Sequence, residues 1–232
     1  MNNKTRLLIL KFKNPLGSSE VKDFRGAVIH ALGNDNVLFH NHIGERFRYA
    51  YPLIQYKCIK GCAAIVCIDE GVEAIGQFFS NYNDTMRIGR RCETMDIDYL
   101  RPMIYNVQIW KDEFLFHLNR WLPLNPQNYE LFKSIGDENE RVAFLEKILI
   151  GNILSFTKGI HMHIESELTC RITKIERQYV TRHKNVNLST FNIVFATNIS
   201  LPPYIGLGKN SSINCGVVTP FKHGSERLPD KD

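Results

Sequence analysis

One sequence pattern constrains the fold more than any other: strand and helix signals alternate in a fixed order along the N-terminal half. Runs of apolar residues indicate buried strands, whereas apolar residues spaced three or four apart indicate amphipathic helices. The predicted elements are a strand at 6–13, a helix from Ser18 or Ser19 to Gly33, strands at 46–59 and 62–68 joined by a Lys60-Gly61 turn, a helix at 70–80 and a strand within 86–95. This order, strand-helix-strand-strand-helix-strand, is typical of the ferredoxin-like arrangement.

The second half of the chain carries a less regular version of the same order. Strands are predicted at 105–110 and 114–118, then a helix at 137–157 with apolar residues at helical spacing, then strands at 162–175, 188–197 and 213–218. Pro202-Pro203 and a Gly-rich loop stand where a second helix is expected. We therefore predict an α+β protein of tandem ferredoxin-like (RRM-like) domains, the second degenerate, at 1–98 and 99–223, followed by a flexible tail at 224–232.

Positive charge is concentrated near the end of the chain. The formal net charge is +5, from 29 basic and 24 acidic residues. Between residues 168 and 224 there are seven Lys or Arg and one acid, so this segment carries +6 and the rest of the chain sums to −1. Such a concentration suits a surface that binds a polyanion, because phosphate contacts release counterions. A solvated basic face without a partner is the alternative.

The cysteines and histidines give no recognisable metal motif. The six cysteines are scattered, without two pairs at zinc-like spacing. His161, His163 and Glu165 alternate along a predicted strand, where a solvated face is a better interpretation than an incomplete metal site. The chain starts without a signal-peptide pattern and contains no apolar run long enough for a membrane span, so we expect a reduced, cytoplasmic location.

The strongest local signal is the Gly-rich loop between Leu201 and Val218. Glycine allows positive φ and close approach of the backbone to a ligand, and free N–H groups of such a loop can form an anion site. Lys209 would add a fixed charge. The loop fits neither the P-loop pattern nor the dinucleotide-binding fingerprint. A hairpin loop without a ligand is the alternative.

This loop resembles that of CRISPR-associated endoribonucleases of the RAMP group, the Cas-six type. Their pattern is G-h-G, five residues including Lys or Arg, and G-h-G, where h is apolar. Gly206-Leu207-Gly208 matches the first arm, 209–213 the spacer and Asn214-Cys215-Gly216 the second, with Asn214 in place of a glycine. Asn tolerates a left-handed backbone well. The stretches at 24–42 and 48–71 are also similar to bacterial members of this family.

The resemblance implies an enzyme that binds CRISPR repeat RNA and cleaves it by attack of the adjacent 2′-hydroxyl, without metal or other cofactor. This chemistry needs a base, an acid and positive charge at the phosphate, and histidine suits the proton transfers. The family places its catalytic histidine in the loop after the first helix, where His40 and His42 lie, and we favour His42. Tyr49 is similar to the tyrosine that some members pair with that histidine.

The remaining predicted site residues contact RNA. We expect these to be Lys57, Arg46, Arg48, Arg171, Arg177, Lys184, Gly206, Gly208, Lys209 and Gly216. CRISPR repeat RNA is the expected partner, with CRISPR effector subunits and a second copy of the chain as further candidates and no membrane partner. One alternative is a non-catalytic RNA-binding RAMP subunit of a CRISPR effector complex, which would not need the two histidines. Another is a small-molecule-binding regulatory protein, whose binding would depend little on salt.

Overall fold

A computed structural model describes residues 4–32, 37–40, 42, 43, 46, 47, 50–81, 85–183 and 186–221. The elements of the first half are β1 (Lys4–Pro15), α1 (Val21–Leu32), α2 (Val37–His40), β2 (His42–Ile43), β3 (Arg46–Phe47), β4 (Ile54–Ile59), β5 (Cys62–Ile68), α3 (Glu70–Asn81), β6 (Thr85–Ile88), β7 (Arg91–Thr94) and β8 (Ile97–Asn106). Those of the second half are β9 (Ile109–Trp121), α4 (Pro126–Ser134), α5 (Glu138–Gly159), β10 (Cys170–His183), β11 (Val186–Ile199) and β12 (Val217–Pro220).

The first half contains a four-stranded antiparallel sheet with the order β4-β5-β1-β8. Helices α1 and α3 cover one face, where Phe24 and Phe78 pack edge-on against Phe12 of β1. The turn between β4 and β5 has positive φ at both Lys60 and Gly61, as the tightest hairpin turns require. The predicted ferredoxin-like arrangement is confirmed here.

The second half repeats that strand order as β10-β11-β9-β12, again antiparallel. Helix α5 packs on one face through Leu149 and Ile153, and Phe191 and Phe195 of β11 lie in the same core. No helix corresponds to the second helix of a complete unit in the described residues between β11 and β12, which are occupied by the Gly-rich loop. The second unit is therefore degenerate, as predicted.

Several predicted boundaries were wrong. Residues 86–95 do not form the last strand of the first sheet but the separate hairpin β6–β7. That last strand is β8, which pairs with β1 and runs past the domain boundary predicted at residue 98. The strand predicted at 46–59 is interrupted between β3 and β4, and β10 begins only at Cys170. Helix α4 was not predicted.

The two halves share one hydrophobic core. Side chains alternate between the faces of a strand, so a continuous apolar run is buried on both sides. In β1, Leu8 and Leu10 face α1 and α3, whereas Leu7 and Ile9 join the core that contains α5 and β11. The uncovered face of the first sheet thus packs against the second half. No helix in the described part of the chain combines the length and apolar character needed to cross a bilayer.

Candidate functional site

The Gly-rich loop lies along the edge of the first sheet and is bound to strand β4. The backbone N–H of Tyr56 donates to the carbonyl of Ser212 at 2.8 Å, and Tyr56 forms a parallel bridge with Ile213. One residue further, Lys57 Nζ donates to the carbonyl of Ser211 at 2.8 Å. The N–H of Cys58 donates to Asn214 Oδ1 at 3.1 Å. The loop therefore continues the first sheet, although it belongs to the second half.

A second group of hydrogen bonds fixes the first glycine arm. The amide oxygen of buried Gln55 accepts from the N–H of Gly206 at 2.8 Å, and the amide nitrogen donates to the hydroxyl of Tyr51 at 2.9 Å. That hydroxyl donates in turn to the carbonyl of Gly206 at 2.9 Å. The Tyr51 ring packs edge-on against Phe156 of α5, with 5.2 Å between centroids. Both polar groups of the Gly206 backbone are thus used within the protein.

The other glycines of the loop also serve close packing. Gly208 has φ +82°, and a Cβ there would lie 2.7 Å from Asn152 Oδ1 and 3.0 Å from Trp121 Nε1. Gly216 has φ +58°, and a Cβ there would collide with the backbone of Leu207. Asn214, in the position of the family's glycine, has φ +62°. This is the left-handed conformation, which Asn tolerates better than most residues, so Asn214 can take the place of the glycine in the loop pattern.

These contacts overturn three predictions of RNA contact. Lys57 is fully buried, and burial lowers its pKa to about 7, so it cannot contact a phosphate from solvent. The face of β4 that carries Lys57 is covered by the second half, which includes Ser211. The N–H of Gly206 is bonded to Gln55, and the N–H of Gly216 donates to the carbonyl of Arg120 at 3.0 Å. Neither glycine offers a free donor to an anion.

Three of the predicted RNA contacts lie on the surface. Lys209 is exposed in the Gly-rich loop. Arg177 is exposed on β10, with its guanidinium 5.0 Å from the centroid of the Tyr179 ring. Arg171, on the same strand, is exposed and pairs with Glu113 at 3.2 Å. Lys174, which we did not predict, lines the same surface depression as Arg171. Its strand face could not be assigned from the sequence, because β10 is irregular on both sides of it.

Helix α2 and strand β2, which contain His40 and His42 and form the histidine segment, lie beside the interface between the two halves. His40 ends helix α2, and His42 begins β2, where it pairs with Phe47. Arg46 lies in β3, and the predicted roles of these three residues stay predictions. Arg48, Tyr49 and Lys184 fall outside the described residues. Their predicted roles stay predictions.

Leu38 and Phe39, which precede His40 in helix α2, pack into the hydrophobic cores and fix the position of that helix. Leu38 packs both against the core under α1 and α3 and against the core that the two halves share. Phe39 is buried in the core under α1 and α3. The carbonyl of Phe39 accepts a long hydrogen bond, 3.5 Å, from the hydroxyl of Tyr56. Tyr56 therefore contacts the histidine segment through its hydroxyl and the Gly-rich loop through its backbone. Burial strongly raises the pKa of Tyr56, which suits a structural role rather than proton transfer.

The alternative metal site near residue 161 receives no support from the described residues. His161 has φ +55° in a turn after α5, and its Nε2 lies 3.9 Å from a carboxylate oxygen of Glu70. His163 and Glu165 follow in an irregular segment rather than on a strand. In the described ranges, no group of three or more His, Cys, Asp or Glu side chains is arranged to hold a metal ion.

Comparison with known proteins agrees with this architecture. Models of the Cas6b N-terminal domain and the Cas6b C-terminal domain match residues 1–104 and 108–221. A crystal structure of Cas6b superposes with a TM-score of 0.87 at 25% identity, covering 94% of this chain and 100% of the other. A Cas6b described as a CRISPR RNA processing endoribonuclease gives 0.73 at 23% identity, with the same coverage.

The chain is also similar in sequence to one curated protein. An uncharacterized protein of Methanocaldococcus jannaschii is 34% identical over 101 residues, which are 44% of this chain and 67% of that protein. Together the two domain matches extend over nearly the whole sequence, and the boundary between them, at 104–108, coincides with the end of β8. The chain belongs to the Cas6b family.

Proposed function

We propose that this protein is an endoribonuclease that binds CRISPR repeat RNA and cleaves it without a metal ion, yielding mature guide RNA. In this reaction the 2′-oxygen forms a bond to the adjacent phosphorus and the bond to the 5′-oxygen breaks. A base takes the 2′-hydroxyl proton and an acid protonates the leaving oxygen. The products are a 2′,3′-cyclic phosphate and a 5′-hydroxyl. Family membership supports the substrate and the reaction class.

The observation that carries the proposal is the double contact of Tyr56. Its hydroxyl contacts the carbonyl of Phe39, next to His40, while its N–H is bonded to Ser212 of the Gly-rich loop. The segment with the two histidines and the loop with exposed Lys209 are therefore attached to one residue of β4. An RNA strand held by the loop would pass near residues suited to proton transfer.

The roles follow from the chemistry of each side chain. His42, or His40, exchanges protons with the 2′-hydroxyl and the leaving oxygen, and Tyr49 orients the 2′-hydroxyl. Lys209, Arg171, Arg177 and Lys184 bind the repeat backbone, and Arg46 and Arg48 add charge beside the histidines. Basic side chains grip RNA mainly through its phosphates and its shape. CRISPR effector subunits and a second copy of the chain stay predicted partners, and the cytoplasm the predicted location.

The deciding experiment compares two labelled repeat RNAs in excess EDTA. One is unmodified, and the other carries a single 2′-deoxy nucleotide at the cut site. We expect cleavage of the first and none of the second. His42→Ala should lower the single-turnover rate at least about a hundredfold, and His40→Ala tests the other histidine. His30→Ala, an exposed histidine on α1, is the matched control and should cleave normally.

Each failure has a distinct meaning. Cleavage that stops in EDTA and returns with added Mg²⁺ would contradict the metal-independent mechanism. Tight binding without cleavage under any condition would favour the non-catalytic RNA-binding subunit. If the protein neither binds nor cleaves several repeat RNAs at low salt, the RNA function itself is wrong.

A further inference from the structure

A surface cavity of about 500 Å³ lies between helix α4, the start of β11 and the Gly-rich loop. Cavities of a few hundred cubic ångströms are the usual size of small-ligand sites. Three different elements contribute to this one: Leu124 and Tyr129 from around α4, Val186 and Leu188 from β11, and Lys209 from the loop. Lys209 is also a proposed RNA contact, so the cavity opens beside a residue proposed to hold RNA.

The cavity combines a buried apolar floor with an exposed aromatic wall. Leu124 and Leu188 form the floor and are 5% and 9% exposed. Tyr129 and Val186 stand at the rim and are 40% and 54% exposed. In the part of the chain that the structure describes, the Tyr129 ring stacks on no other aromatic ring and its hydroxyl has no hydrogen-bond partner. Both the face of this ring and its hydroxyl are available to a ligand.

A cation is held at the same rim. Lys209 directly follows Gly208, which packs against Trp121 and Asn152 with no room for a side chain. Those two residues are themselves joined by a hydrogen bond of 2.9 Å from Trp121 Nε1 to Asn152 Oδ1. The backbone position of Lys209 is therefore fixed. Its ammonium forms no ion pair with the described residues and is available to an anion.

We infer that this cavity binds one unpaired nucleotide of the RNA, with its base against Tyr129 and its phosphate at Lys209. The inference rests on the proposed function and adds to it a subsite. The flat face of a base beside a phosphate matches an aromatic wall beside a free cation, since every base can stack on an aromatic side chain through its π-face. Asn187 and Glu130, at the rim, supply hydrogen-bonding groups for the edge of the base.

The test pairs substitutions of Tyr129 with a series of repeat RNAs, each lacking one base. Tyr129→Ala should weaken binding of the complete repeat roughly tenfold, the effect of losing one base–aromatic stack. Tyr129→Phe keeps the ring and should bind within about twofold of the unchanged protein. Leu131→Ala is the matched control, because Leu131 is 56% exposed on the same helix and does not line the cavity. Thermal unfolding of each variant verifies that it is folded.

The RNA series identifies the nucleotide. At one position, removal of the base should weaken binding by the unchanged protein and have no further effect on Tyr129→Ala. At that position the two changes are coupled, whereas at all others they should add. Lys209→Met should lower the slope of log affinity against log salt concentration by about one, in keeping with one lost phosphate contact.

The outcomes separate this inference from the proposed function. If the unchanged protein binds and cleaves the repeat but Tyr129→Ala behaves like Leu131→Ala, the nucleotide site is wrong and the proposed function stands. Additive effects at every RNA position would also overturn the site. If the unchanged protein does not bind the repeat at all, the proposed function fails first.

Discussion

Lys57 Nζ donates a hydrogen bond of 2.8 Å to the carbonyl oxygen of Ser211, a residue 154 positions later in the chain. The lysine lies in the first sheet and the serine in the Gly-rich loop, so the bond joins the two halves of the protein. Lys57 is fully buried, and the cost of burying its charge lowers its pKa to about 7. A residue that looks like an RNA contact in the sequence is instead part of the joint between the halves.

The depressed pKa of Lys57 makes stability depend on pH. In the unfolded chain the amine has its ordinary pKa of 10.5, and in the folded protein the pKa is about 7. As pH falls from 10.5 towards 7, the unfolded state takes up a proton that the folded state does not, so stability decreases. Below about pH 7 both states are protonated and the loss is complete.

Lys57→Met removes this proton from both states, so the variant should lack this part of the pH dependence. Relative to the variant, the unchanged protein should gain up to about 1.4 kcal/mol of unfolding free energy per pH unit between pH 7 and 10.5. Urea unfolding at several pH values in that range measures the difference in slope. Parallel curves for the two proteins would show that Lys57 is charged in the folded state.

The second prediction concerns two glycines with opposite surroundings. Gly216 has φ +58°, and a Cβ there meets the backbone of Leu207, so Gly216→Ala should destabilise the protein by about 3 kcal/mol or more. Gly151 lies exposed within helix α5, and a Cβ there meets no atom within 4 Å. Gly151→Ala should therefore stabilise by about 0.5–1 kcal/mol. Urea unfolding measures both variants, and a Gly216→Ala protein as stable as the original would contradict the packing described for the loop.

The sequence predicted an element well where interactions between residues close together in the chain define it. Asp137 was predicted at the start of the helix at 137–157, and it caps α5 by accepting a hydrogen bond from the N–H of Glu140 at 3.0 Å. Strand β8 was missed because it is an edge strand with Pro102 in its middle and mostly exposed side chains, so its pattern is weak. Pairing with β1, not local preference, makes it a strand.

The candidate site was only partly predictable for a related reason. A glycine-rich pattern shows that the backbone approaches something closely, but not whether the neighbour is a ligand or the protein itself. For Gly206 the neighbour is the protein itself: a Cβ there would collide with the backbone of Ser211, and its N–H is bonded to the side chain of Gln55, far away in sequence. The burial of Lys57 likewise depends on a loop that arrives from the other half. Lys209 was expected to add a positive charge to the loop, and its side chain is exposed there. This could be predicted because the exposure of a loop residue does not depend on a partner far away in sequence.

The third prediction separates two basic residues of the β10 surface by their neighbours. Arg177 stacks on Tyr179, whereas Arg171 pairs with Glu113 at 3.2 Å. Arg177→Ala should weaken binding of all repeat variants alike and reduce the salt slope by about one. Glu113→Gln should strengthen binding, because it removes a negative charge beside Arg171. Fluorescence anisotropy at several salt concentrations measures both. Equal affinities of the two variants would argue against RNA on this surface.

The last prediction concerns Asn214, where the family pattern has glycine. Asn214→Gly would relieve the positive φ, a gain below about 1 kcal/mol for Asn, but would remove two hydrogen bonds worth about 0.5–1.5 kcal/mol each. Those bonds run from the N–H of Cys58 to Asn214 Oδ1 and from Asn214 Nδ2 to Ser18 Oγ. We therefore expect Asn214→Gly to lower the free energy of unfolding, measured in urea, by about 1 kcal/mol. Asn214→Ala should lower it more, because alanine also keeps the left-handed strain. Ser18→Ala removes only one bond and should cost less than either. An Asn214→Gly protein more stable than the original would mean that this side chain does not hold the loop to the first sheet.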